Sequence, residues 1–223
     1  MESEQTKILT IKYSEDISQK EIPFFRGAVI QTVENSSFLF HNHDGEKFRY
    51  AYPLVQYKRI NGKAAIVCVG NGTDCKDALL SASNFDCQLG KRNAGMRIES
   101  YNMDLACIGC DEEHKYQLHN WLPLNSKNYK QFQATESLVE RIRMLEKVLV
   151  GNILSFLKGV DVHLDQQLNV YITKIADQHL TRYKRVKLMA FDIEFNANIV
   201  LPPFIGLGKN ASVGYGILTT IAH

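Results

Sequence analysis

Apolar and polar positions along the chain switch between two periods. KILTIKY at 7–13 alternates apolar with polar, which predicts a strand. Ser18 and Glu21 form an S-x-x-E capping box, and Pro23 suits a first helical turn. Phe25, Val29, Thr32 and Val33 then fall near one face, so a helix is expected over about 22–34. Gly27 inside it costs about 1 kcal/mol relative to alanine and hints at close packing. FLFHNH and FRYAYPLVQYKRI read as extended segments divided by an Asp44–Gly45 turn. Asn61–Gly62 marks a second hairpin, which leads into KAAIVCVG as a buried strand. Thr73 is placed to cap a short helix through DCKDALLSAS, and MRIESYNMDLACIG at 96–109 returns as a strand. The order strand, helix, two strands, helix, strand is the ferredoxin-like plan.

The second half begins with YQLHNWLPL as a strand. A long helix follows, starting at Ser126 or at the Ser137–Glu140 capping box and ending before Gly159. Leu138, Ile142, Leu145, Leu149, Ile153, Phe156 and Leu157 recur at three and four, so one face must be buried. QLNVYITKI is extended, and in YKRVKLMAFDIEF the residues Met189, Phe191, Ile193 and Phe195 alternate toward one face. No second helix is expected here, and GILTTIA closes the half as a strand. The fold class is therefore α+β, two ferredoxin-like βαββαβ domains in tandem over 1–110 and 111–223, the second imperfect.

Composition narrows the classes. With 45% hydrophobic and 22% charged residues in 223, the chain reads as globular, and its net charge of +2 is too small to announce nucleic-acid binding without local clustering. MESEQTKIL is polar, and the longest uncharged apolar run, VLVGNILSFL, is about half of the roughly 20 residues a membrane span needs. A cytoplasmic protein with no membrane partner is expected. Five cysteines, an odd number at irregular spacing, argue for reduced thiols. Cys107 and Cys110 form a C-x-x-C, but zinc wants about four ligands, so they read as buried strand cysteines.

GLGKNASVGYG at 206–216 is the chain's glycine-rich segment, with Gly206, Gly208, Gly214 and Gly216 able to take positive φ and to bare N–H groups toward a phosphate. As a bare pattern it reads first as a glycine-rich β-turn, and it matches neither dinucleotide nor P-loop spacing. Its form is G-h-G, five residues including the base Lys209, then G-h-G with Leu207 and Tyr215 as the apolar positions. In that form it resembles the CRISPR-associated repeat-processing endoribonucleases, the "Cas six" family. FFRGAV and FHNH…YPLVQYK resemble one branch of that family. The resemblance implies tandem ferredoxin-like domains and cleavage of precursor CRISPR RNA within its repeats without metal or cofactor. It also implies catalysis by a histidine pair and a tyrosine, which match His41, His43 and Tyr50. Implied partners are CRISPR repeat RNA, other CRISPR effector subunits and a second copy of the chain.

Such chemistry suits those residues. Cleavage needs the ribose 2′-OH to attack phosphorus while the 5′-oxygen leaves, so one group takes a proton and another gives one; imidazole does either near neutral pH. Two histidines at i and i+2 of a strand share a face, about 7 Å apart at Cα, which leaves room for a phosphate. If Asp44–Gly45 is a two-residue turn, Leu39 faces Tyr50; if the loop is DGEK, His43 faces Phe48 and His41 faces Tyr50. Either register puts Tyr50 on the histidine face. H-x-H is also a metal pair, but Asp44 would point to the opposite face, and no metal ligands are assigned.

RNA contacts are expected from Arg182, Lys184, Arg185 and Lys187, four cations in six residues around Tyr183. Lys58, Arg59 and Lys63 flank the second hairpin turn, while Lys91, Arg92 and Arg97 precede the domain junction. Lys58, close to the histidines in sequence, could steady charge on the cleaved phosphate. The rival reading is a non-catalytic RNA-binding subunit of the same fold.

Overall fold

The computed structural model describes residues 4–33, 43–44, 47–48 and 51–221. These fall into two compact units. One comprises Glu4–Cys107 with Ser212–Gly214; the other comprises Ile108–Ala211 with the chain from Tyr215 onward.

In the first unit, β1 (Glu4–Asp16) runs to the Ser18–Glu21 capping box. There the Ser18 N–H and hydroxyl both donate to the Glu21 carboxylate at 2.7 Å. A short 3-10 turn then leads into α1 (Ile22–Thr32), with proline in its first turn as expected. Arg92 clamps the same carboxylate, at 2.5 Å from Nε, and also Glu15, and holds the Glu21 carboxyl down to about 2. Helix α1 buries Ile22, Phe25 and Val29. The Phe25 ring meets Tyr13 edge-on at 5.3 Å and Tyr57 at 5.9 Å, so this helix covers the face of the sheet that carries Leu9, Ile11 and Tyr13. Gly27 is different from expectation: a Cβ there would meet nothing within 4 Å, so no close packing requires it.

Strands β2 (His43–Asp44) and β3 (Lys47–Phe48) form a two-stranded ribbon, followed by β4 (Val55–Ile60) and β5 (Lys63–Val69). The Asn61–Gly62 turn is left-handed at both residues, φ 51° and 89°, as the asparagine–glycine pair predicts. Thr73 does not cap α2 (Lys76–Ser81); it lies inside a preceding 3-10 turn, where its hydroxyl donates to the Gly70 carbonyl at 2.8 Å. A strand absent from the sequence reading, β6 (Asn84–Leu89), pairs with β7 (Arg92–Ile108) through a turn at Gly90. The sheet order is β4-β5-β1-β7-β6. Its first four strands have the ferredoxin-like order, and β6 is an addition at one edge. At the other edge, Val213 makes a parallel bridge to Tyr57, and the Tyr57 N–H donates to the Ser212 carbonyl at 2.9 Å.

In the second unit, β8 (Cys110–Trp121) precedes α3 (Ser126–Ala134) and α4 (Leu138–Gly159), so both candidate helix starts are used. Asn125 caps α3, and Ser137 caps α4 by accepting from the Glu140 N–H. Strands β9 (Val170–Tyr183), β10 (Val186–Ile199) and β11 (Ile217–Thr220) complete a sheet ordered β11-β8-β10-β9. That is the ferredoxin-like order again, with irregular chain in place of the second helix between β10 and β11. Leu145, Leu149, Ile153, Phe156 and Leu157 of α4 are buried, as are Phe191, Ile193 and Phe195 of β10. Each such side chain contributes about 1.5–3 kcal/mol of burial. Cys107 and Cys110 are not buried strand cysteines: Cys107 is exposed and Cys110 half-buried, both free thiols on chain that leaves one unit for the other.

Candidate functional site

The histidine ribbon pairs His43 with Phe48 and Asp44 with Lys47. The His43–Phe48 pairing is that of the DGEK alternative, but Asp44 and Lys47 are paired strand residues and not loop, so neither the Asp44–Gly45 turn nor the DGEK loop is formed as expected. His41 and Tyr50 lie outside the described residues, as does the side chain of His43, so of the proposed catalytic group only the backbone at His43 is placed.

Lys58 is on β4, but not on a surface. It is 0% exposed, and its ammonium has no hydrogen-bond partner among the described residues. Strand parity sets its direction. Tyr57 turns to α1, so Gln56 and Lys58 take the opposite face, where Lys58 pairs with Ala65, and beyond it Lys12 of β1. Burial pushes the Lys58 pKa down to about 7. A lysine in that range can exchange a proton near neutral pH, which an ordinary surface lysine cannot do.

The basic clusters divide by what they touch. Arg59 donates to the Ile17 carbonyl at 2.7 Å, Lys63 pairs with Glu99 at 2.7 Å, Arg92 is the clamp described above, and Arg97 pairs with Asp86 at 3.1 Å. Those cations are engaged within the first unit. Arg182, Lys184, Arg185 and Lys187 are exposed and make no ion pair among the described residues. They sit at the tip of the β9–β10 hairpin, where Tyr183 pairs with Val186 and Arg182 lies across from Lys187. Lys184 and Arg185 are both left-handed, φ 44° and 67°, in a turn that ordinarily takes asparagine and glycine. Strain of this kind costs of order 1–3 kcal/mol per residue and concentrates at functional sites. Like charges facing across a ladder add to the cost.

The glycine-rich segment lies against the same hairpin. The Tyr215 ring meets Tyr183 edge-on at 6.0 Å, and its hydroxyl is 3.4 Å from Thr181 Oγ1. Gly206, Gly214 and Gly216 are buried, and the N–H groups of Leu207, Lys209, Tyr215 and Gly216 donate to protein carbonyls. Those amides are therefore not bared toward a ligand. Gly208 has φ +87°, and a Cβ there would lie 2.8 Å from Trp121 Nε1, so this glycine is required by the indole beside it. Lys209 does face outward, with its ammonium donating to the Leu124 carbonyl at 3.1 Å and its pKa lowered by partial burial.

One polar group was not found from sequence. His179 Nδ1 is 2.8 Å from Asp177 and its Nε2 is 3.2 Å from Asn120 Oδ1, while Asp192 accepts from the Asn120 N–H at 2.6 Å. Asn120 is itself left-handed, φ 49°. The only sequence signal is the alternation Asp177, His179, Thr181, Tyr183 along one face of β9; the rest depends on contacts 59 and 72 positions apart.

Two α+β sheets of ferredoxin-like order in tandem, the second lacking its last helix, define the fold class. Models of the Cas6b N-terminal domain and the Cas6b C-terminal domain match residues 4–106 and 109–221, and the chain belongs to the Cas6b family. A Cas6b crystal structure matches 98% of this chain and all of its own at a TM-score of 0.89 and 23% identity. The crystal structure of a CRISPR RNA processing endoribonuclease Cas6b matches over 98% of this chain and 100% of its own at a TM-score of 0.75 and 22% identity. At such identities these two likenesses speak of fold. An uncharacterized protein of Methanocaldococcus jannaschii is 34% identical over 96 residues, 43% of this chain; the matched region spans 64% of that protein's length. No described helix is long and apolar enough to cross a membrane.

Proposed function

We propose that this chain is an endoribonuclease that cuts precursor CRISPR RNA within its repeats and needs no metal. What carries the reading is membership of the Cas6b family across both units; a family relative of known structure is described as a CRISPR RNA processing endoribonuclease. The unpaired cations at the β9–β10 tip supply a surface suited to the RNA backbone.

In the proposed reaction one imidazole of the His41–His43 pair takes the proton of a ribose 2′-OH. The oxygen attacks the adjacent phosphorus, the bond from phosphorus to the 5′-oxygen breaks, and the other imidazole protonates that oxygen. The products are a 5′-OH end and a 2′,3′-cyclic phosphate, which water can open to a 3′-phosphate. Tyr50 orients a histidine or holds the phosphate. Acid–base groups so placed contribute about 10²–10⁴-fold each.

The test incubates the protein with the repeat RNA of its own host's CRISPR array, in EDTA, beside RNA with 2′-deoxyribose at the scissile nucleotide. Cleavage should survive EDTA and stop with the deoxy substitution. His41→Ala and His43→Ala should each slow cleavage by about 10²-fold or more and leave affinity nearly unchanged. Tight binding of intact RNA by the wild type would instead make it a non-catalytic RNA-binding subunit, and loss of cleavage in EDTA would make it a metal-dependent nuclease.

A further inference from the structure

A cavity of about 400 Å³ opens in the second unit between the start of α3 and the β9–β10 ladder. Buried Leu124 and half-buried Met189 line it, with Leu180 of β9 also facing it although 62% exposed. Tyr129 of α3 contributes its ring and is 36% exposed; its hydroxyl accepts from Gln133 at 3.0 Å. Three lysines stand around this apolar lining, Lys130, Lys187 and Lys209, and no carboxylate does among the described residues. The size falls within the roughly 300–1,000 Å³ usual for sites that enclose a small ligand group.

The two halves of the lining ask for different things from one occupant. An exposed leucine beside a tyrosine ring favours a flat apolar surface, since stacking and burial both gain there. Three ammonium groups without a counter-charge favour an anion next to that surface. A nucleotide has both parts. Two of the lysines also tie the cavity to the candidate interface: Lys187 pairs across the ladder with Arg182 at the basic tip, and Lys209 belongs to the glycine-rich segment. The cations thus continue past the cavity along one strand pair, which suits a polynucleotide better than a free mononucleotide.

We propose that this cavity receives one unpaired nucleotide of the bound RNA, its base against Tyr129 and Leu180 and its flanking phosphates against Lys130, Lys187 and Lys209. The inference rests on the RNA-processing reading and adds a subsite that senses one position of the substrate.

The experiment scans single abasic sites through the repeat RNA and measures affinity for the wild type and for Tyr129→Ala. One or two neighbouring abasic positions should weaken wild-type binding about 5- to 150-fold, the range for stacking of one base on an aromatic ring, and should weaken the variant less than about twofold. Leu180→Thr, on an exposed strand position, repeats the test if Tyr129→Ala fails to fold. Equal penalties at every position in wild type and variants, with overall binding intact, overturn the subsite and leave the RNA reading standing. Displacement by adenosine or uridine monophosphate as readily as by RNA would make the occupant a free nucleotide and overturn it too. So would variants that keep every abasic penalty but lose a co-purifying protein. A folded wild type that binds no repeat RNA sinks the functional reading and the subsite together.

Discussion

Replacing Lys58 by methionine should stabilise the protein near neutral pH, and the gain should fade in alkali. Burial lowers the lysine from its ordinary 10.5 to about 7. At about 1.4 kcal/mol per pH unit, that gap corresponds to an upper bound of roughly 5 kcal/mol. Between those two values the unfolded lysine holds a proton that the folded one does not. Wild-type stability therefore falls as pH is lowered from about 10.5 to about 7 and levels off below. Methionine fills similar space and has nothing to titrate. Urea unfolding of both proteins at pH 6, 7, 8, 9 and 10 isolates the effect, because every other group, including half-buried Lys12 on the same face, cancels in the difference. The stability difference should be largest at pH 6–7 and shrink by up to about 1.4 kcal/mol per pH unit toward pH 10. A difference that stays constant across that range refutes the argument.

Three shorter expectations accompany it. Lys184→Asn with Arg185→Gly should raise stability, seen as a higher Tm, by up to about 1–3 kcal/mol for each of the two left-handed residues relieved. The same double variant should bind RNA more weakly, with a salt slope reduced by about 1.4, or about 0.7 for each of two lost contacts to single-stranded phosphate. Gly208→Ala should destabilise by about 1–3 kcal/mol and disturb the Trp121–Asn152 hydrogen bond of 3.0 Å; as the chain has one tryptophan, its fluorescence reports the change directly.

Local signals in the sequence were read well where the structure they specify is also local. The Ser18–Glu21 box, the Asn61–Gly62 turn and the Ser137–Glu140 start each need only three or four residues to express themselves, and each is present. Strand β6 escaped because NFDCQL is an edge strand: Phe85, Cys87 and Leu89 alternate as they should, but Asn84, Asp86 and Gln88 between them read as loop. The Lys184–Arg185 turn escaped for the opposite reason, since its residues resist the conformation that the ladder on either side imposes. Lys58 was legible as a cation and not as a buried one, because its face of β4 is set by the turning of Tyr57 toward a helix that is remote in sequence, and its burial is a property of the tertiary fold. The His179 group and the lysine-edged cavity are products of the tertiary fold, assembled from elements that carry no mark of one another.

The bridge between Tyr57 and Val213 bears on how the chain is made. Strand β4 lies at the edge of its sheet, and Ser212 and Val213 cover that edge; Gln19 likewise waits for the Gly214 carbonyl, 195 positions downstream. On a ribosome adding about 5–20 residues per second, the N-terminal sheet would emerge and stand with a bare edge for on the order of ten seconds before its cover exists. A bare edge is a template for joining another strand. A nascent or truncated protein that stops short of residue 212 is thus left adhesive on that side, and translation to the end is itself the step that makes the first half safe.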